Sequence, residues 1–104
     1  MAQFHVYRNL DRSSRQRFPF LLDVQSDLLE SFATRVVVPL AETDDKRPPV
    51  ARLMPTFEID GRPVVMRTGE IAGIARKAVG EHVVSLVGRR HEIVAALDVL
   101  ISGV

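Results

Sequence analysis

The chain has 104 residues, 46% of them apolar and 26% charged, with no cysteine, and its 14 basic and 13 acidic side chains leave a formal charge of +1. These values fit one folded domain whose modest core buries between about 60 and 70% of the unfolded surface, and they argue against disorder or a membrane span. So small a charge excludes nonspecific nucleic-acid binding driven by counterion release, and the lack of cysteine excludes disulfides, zinc-thiolate sites and a thiol nucleophile.

The first residues, MAQFHVYRN, lack the apolar core of a signal peptide, so a cytoplasmic protein is expected. Gln3 to Tyr7 alternates as a strand does, with Phe4 and Val6 on one face and His5 and Tyr7 on the other. Leu10 to Arg17 reads as an exposed loop carrying Arg12, Arg15 and Arg17 around Asp11. Phe18 to Val24 and Arg35 to Leu40 read as strands joined through LLESFATR. The three valines before Pro39 are the β-branched run of a strand covered on both faces, and pairing should fade at the proline, which has no N–H. Gln25 and Ser26, an uncharged pair between Asp23 and Asp27, need partners, because burying an amide or hydroxyl unpaired costs about 1 to 3 kcal/mol. They are expected to face a seam or a partner surface near the closing helix. Leu28 and Leu29 are adjacent, so in a strand only one of them would join the core.

Ala41 to Val50, with its charges and Pro48-Pro49, reads as a solvated loop. Met54 to Ile59 and Arg62 to Arg67 flank Asp60-Gly61, the strongest hairpin signal in the chain. In Thr68 to Gly80, Ile71, Ile74, Ala75, Ala78 and Val79 fit helical spacing, with Thr68 available as a cap. The clearest helix spans about Arg89 to Ile101, where Ile93, Ala96, Leu97 and Leu100 form one stripe and Val94 and Ile101 a second apolar line.

Several of these pieces together resemble the CcdB toxins of bacterial toxin–antitoxin modules. DVQSD at 23–27 and RVVVPL at 35–40 carry the likeness, supported in the same order by QFHVY at 3–7, the strand from Leu53 to Ile59, VGEHV at 79–83 and a helix ending in Ser102-Gly103-Val104. The likeness spans nearly the whole chain, with one loop after Arg8 longer and one between Leu40 and Leu53 shorter than usual. It implies one domain over 1–104 of the α+β, mostly β class: an SH3-like barrel of the CcdB/MazF type, with antiparallel strands, a small wing sheet and one C-terminal α-helix. It also replaces the helical reading of Thr68 to Gly80 by a turn near Glu70 to Gly73 and a strand around Ala75 to Val79.

The resemblance further implies a homodimer that binds the breakage-reunion subunit of DNA gyrase and traps its cleaved DNA complex. The terminal tripeptide of the family, usually Trp-Gly-Ile, corresponds here to Ser102, Gly103 and Val104, so serine stands where an interface tryptophan is usual. Gln3, Phe4, Ser26, Leu28, Asp98 and Ile101 match exposed positions around the same surface. Arg12 and Arg15, with Val104, are implied to meet a CcdA-like antitoxin, whose acidic disordered segment arginines would suit. The alternatives are a frayed helix end and a solvated charge run.

No enzymatic machinery, cofactor, metal site, membrane contact or direct nucleic-acid contact is expected. His5, His82 and His91 lie far apart in sequence without ligand spacing, and no serine sits in a nucleophile elbow. Two other functions remain open. One is a MazF-like ribonuclease, which shares the fold and would have only scattered arginines with His5 or His91 to work with; the other is a homologue that binds antitoxin without poisoning gyrase.

Overall fold

The computed structural model of the chain describes residues 1–103. Seven strands and one helix follow in order: β1 (His5–Asn9), β2 (Phe20–Asp23), β3 (Thr34–Glu42), β4 (Thr56–Ile59), β5 (Arg62–Met66), β6 (Ala72–Ala75), β7 (Val79–Ser85) and α1 (Arg90–Ser102). All pairings are antiparallel, in the order β4-β5-β3-β2-β1-β7, with β6 added along β3. The mostly β, α+β architecture expected from the sequence is therefore the one observed.

The sheet curls around a core of Val6, Phe20, Leu22, Val38, Leu40, Phe57, Ile59, Val64 and Met66, closed by Ile93 and Ala96 of α1. Ile93 and Ala96 are fully buried and Leu97 packs against them, whereas Leu100 lies at the exposed rim of the expected stripe. A smaller cluster of Phe18, Ala41 and Val65 lies apart from this core. In the β4–β5 hairpin, Asp60 and Gly61 both take positive φ, 52° and 74°, as a two-residue turn that follows strand twist requires.

Several expected boundaries move. β1 begins at His5 rather than Gln3 because Phe4 is held at φ 68°, its N–H bonded to the Asp23 carbonyl and its carbonyl accepting from Leu86 N–H. β3 does not fade at Pro39 but runs on to Glu42. Its free edge is shared, with β6 opposite Thr34 to Val37 and β5 opposite Leu40 to Glu42. Pro39 falls in the gap between these partners, where no ladder donor is needed.

Thr68 to Gly80 forms neither the helix of the spacing nor the strand expected at Ala75 to Val79. Two 3-10 turns, Thr68–Glu70 and Arg76–Ala78, bracket β6, and β7 follows. The misleading period is shared among separate elements: Ile71 closes the first turn, Ile74 and Ala75 belong to β6, Ala78 to the second turn and Val79 to β7.

Candidate functional site: the polar turn, the helix end and the arginine loop

Residues 23–36 build a polar knot beneath an apolar turn. Asp23 and Arg35 are wholly buried and joined by hydrogen bonds from both Nε and Nη2, the Nε bond being 3.0 Å. Burial pushes the Asp23 carboxyl upward, and the Arg35 and Gln25 N–H bonds oppose that shift. Gln25 accepts from Val36 N–H at 2.9 Å and donates to the Leu29 carbonyl at 3.1 Å. The expectation that Gln25 faces a seam is corrected: it is buried, and its amide ties the Val36 N–H to the Leu29 carbonyl, which also accepts from Phe32 N–H.

Ser26 is half-buried and accepts from Leu28 N–H at 3.2 Å, capping the 3-10 turn Asp27–Leu29. The strand argument for Leu28 and Leu29 is corrected by that turn, since both leucines point outward and Leu28 is 93% exposed. Gln3 joins this group, its N–H bonded to Asp27 Oδ1 at 2.9 Å and its amide to the Val24 carbonyl at 3.2 Å. Phe4, expected on the exposed surface, is buried in the core and supports the group from beneath.

The second group lies at the end of α1. The start of the helix is anchored by Arg89, which bonds Glu92 and the Thr56 carbonyl and stacks 4.7 Å over the Phe57 ring. Hydrogen bonds from Arg89 hold the Glu92 carboxyl below the usual glutamate range. At the other end, the Ser102 hydroxyl donates to the Asp98 carbonyl at 2.7 Å. Gly103 takes φ 73° and returns its N–H to the Val99 carbonyl, a left-handed cap that glycine adopts without strain. Asp98 is exposed, and Ile101 is 83% exposed, so the helix ends in an apolar side chain that the fold does not use. Val104, expected in both binding surfaces, lies outside the described residues.

The arginine loop is exposed, as expected. Asp11 accepts from the hydroxyl and the N–H of Ser13, and these bonds hold its carboxyl below the usual range. Two of the neighbouring arginines are occupied: Arg8 bridges Glu81 at 2.9 Å and Asp60 at 3.2 Å, and Arg17 reaches Glu70 at 3.5 Å. Arg12 and Arg15 carry exposed guanidinium groups with no carboxylate partner among the described residues.

One pairing escaped the sequence. His5 Nδ1 and His82 Nε2 stand 2.8 Å apart across β1 and β7, with the Tyr7 ring set edge-on against His82. They are 77 residues apart in sequence, so only the strand register brings them together. Among the described residues no three histidine, aspartate or glutamate side chains gather as a metal cluster, and no helix is long and apolar enough to cross a membrane.

The fold has a counterpart among known proteins. A solved structure described as an endoribonuclease in complex with its cognate antitoxin, from Mycobacterial species, superposes with a TM-score of 0.76 over 97% of this chain and 94% of that one. At 16% identity that likeness concerns the fold alone. The sequence model described as CcdB protein matches residues 3–103, and the chain belongs to the CcdB family.

Proposed function

We propose that this chain is the toxin of a type II toxin–antitoxin module that binds DNA gyrase and traps its cleaved DNA complex, acting as a homodimer and without catalysis of its own. Family membership supports the toxin reading, and the similar solved structure, itself a complex with an antitoxin, supports an antitoxin partner. The observation that supports the gyrase reading is the exposed end of α1, where Ile101 stands 83% exposed just before Ser102 and Gly103, the residues that resemble the start of the family's terminal tripeptide. An isoleucine 83% exposed at a helix end is open to contact with a partner. Leu28, on a turn braced by Gln3 and Ser26, offers a second such contact. Poisoning of this kind means binding a transient state of the partner, so potency scales with how often the cleaved state is populated.

The antitoxin would engage Arg12 and Arg15, whose exposed charges suit an acidic segment that folds on binding. A gyrase cleavage assay tests the central reading: linear DNA should accumulate at micromolar protein and disappear when antitoxin is added. No increase in linear DNA sinks it.

The ribonuclease fold of the similar structure favours a second reading, RNA cleavage. The acid–base groups available for it are His5, His82 and His91, and His5 and His82 are hydrogen-bonded to each other at 2.8 Å. Cleavage of a defined RNA by pure protein, lost on mutating Arg12 or Arg15, would nevertheless establish this reading in place of the first.

A further inference from the structure

We propose that the outer face of β3 is a two-pocket groove for an extended acidic segment that carries apolar side chains four residues apart. The proposal deepens the antitoxin reading and rests on it for the identity of the occupant. Val38 and Leu40 turn into the core, so Val37, Pro39 and Ala41 share the opposite face of the strand. The first pocket, about 220 Å3, is lined by Leu21, Val37 and Pro39 and by Ala72 and Ile74 of β6, with Ala72 in register with Val37. The second, about 280 Å3, is lined by Ala41, Val65 and Met54. Each is smaller than the roughly 300 to 1,000 Å3 of a small-molecule site and suits a single side chain. Val37 and Ala41 stand about 13 Å apart along β3, and an extended ligand repeats that spacing at positions i and i+4, whose side chains point the same way.

The charges around the pockets select an acidic ligand. Arg17, Arg47 and Arg67 line the second pocket together with Glu42 and Asp44. Both of those carboxylates are engaged, Glu42 by Arg62 and Asp44 by Lys46 N–H at 2.9 Å. Arg47 is exposed and has no carboxylate partner among the described residues. Arg17 and Arg67 share one carboxylate, Glu70, at 3.5 and 2.9 Å. Glu70 also lines the first pocket, so this ion cluster stands between the two. Ser14 brings the arginine loop to the first pocket, with Arg12 and Arg15 on either side of it in sequence, and Asp11 at the same rim is turned to Ser13. Each carboxylate at the groove is thus bonded within the chain, while Arg12, Arg15 and Arg47 have no carboxylate partner. Carboxylates set between two apolar anchors match both features.

The test is NMR titration of the isotope-labelled full chain with synthetic peptides. The probe is acetyl-Glu-Leu-Asp-Glu-Asp-Leu-Glu-amide. Its isomer acetyl-Glu-Leu-Asp-Glu-Leu-Asp-Glu-amide sets the leucines three apart, on opposite sides of an extended chain, and a Gln/Asn analogue of the probe removes the charge. We expect the probe to bind with a Kd below about 1 mM and to shift the amide signals of Val37, Ala41, Val65 and Ala72, with the isomer at least about tenfold weaker. The Gln/Asn analogue should bind at least about threefold more weakly at low salt. Ala72→Phe, which fills the first pocket from an exposed position, and Arg47→Glu should each weaken the probe at least about threefold while circular dichroism stays that of the parent. No binding at millimolar probe, an isomer that binds as well as the probe, or an Ala72→Phe chain that binds it as the parent does would overturn the groove. The antitoxin reading is scored separately. An antitoxin that binds the parent and the Ala72→Phe chain equally leaves that reading intact and removes the groove, whereas probe binding at the pockets with no antitoxin binding to the parent removes the antitoxin as occupant.

Discussion

The Asp23 carboxylate and the Arg35 guanidinium pair where neither side chain reaches solvent, joining the end of β2 to the start of β3. Breaking one half of such a pair leaves an uncompensated buried charge, which costs about 3 to 5 kcal/mol. Asp23→Asn should therefore destabilise the protein by about that amount in urea unfolding. The double variant Asp23→Asn, Arg35→Met should recover part of the loss. A single variant as stable as the parent would show that the cation finds other compensation.

Gln25 serves backbone on both sides of the turn, through Val36 N–H and the Leu29 carbonyl. Gln25→Ala strands the Val36 N–H, while the Leu29 carbonyl keeps its bond from Phe32 N–H, and should cost about 1 to 3 kcal/mol. If the amide instead served a partner surface, the isolated protein would lose almost nothing.

Glu92 titrates below the usual glutamate range because Arg89 donates to it, and its place in the first turn of α1 favours the charged form as well. A carboxylate with a lowered folded pKa adds stability that is present above its unfolded pKa and is lost as pH falls through the folded value. NMR titration of the Glu92 carboxyl should show the depressed midpoint, and Arg89→Ala should return it toward the ordinary range. An unchanged midpoint in that variant would remove Arg89 as the cause.

Arg12 and Arg15 are exposed and have no carboxylate partner among the described residues, so charge reversal there should leave stability within about 0.5 kcal/mol. Antitoxin binding should weaken, chiefly through slower association, and become less sensitive to salt. Surface plasmon resonance at two ionic strengths would measure both effects. Unchanged association would assign the antitoxin to another face.

Legibility in the sequence followed how local each determinant is. Asp60-Gly61 announced its turn because positive φ at adjacent positions is a property of two residues, and α1 announced itself through a stripe ending in Ile93, Ala96 and Leu97. Between Thr68 and Gly80 the apolar residues with helical spacing are spread over two strands and two 3-10 turns, so β6 and the start of β7 were hidden. Leu28 and Leu29 were assigned strand geometry because the turn capped by Ser26 is set by one hydroxyl bond that no periodicity reveals. Phe4 was expected outside and lies inside because Asp23 and Leu86, both distant in sequence, hold its backbone at positive φ. The helix end was legible through family resemblance alone, and the His5–His82 pair through neither, since it depends on the β1–β7 register.

Ile101 separates folding from function most cleanly. At 83% exposure, its replacement by alanine should change stability by less than about 0.5 kcal/mol, while loss of an interface anchor should cost at least about tenfold in gyrase poisoning. Ser102→Trp should act in the opposite direction and raise potency, because it restores a large ring at the helix end.

The central claim is tested most directly by purified gyrase, supercoiled plasmid and this protein in a cleavage assay, with Ile101→Ala as the matched control. The account predicts linear DNA that rises with parent protein at micromolar concentration, falls at least about tenfold in potency with the variant, and is abolished by antitoxin. Linear DNA that stays at background with folded, dimeric parent protein would contradict it.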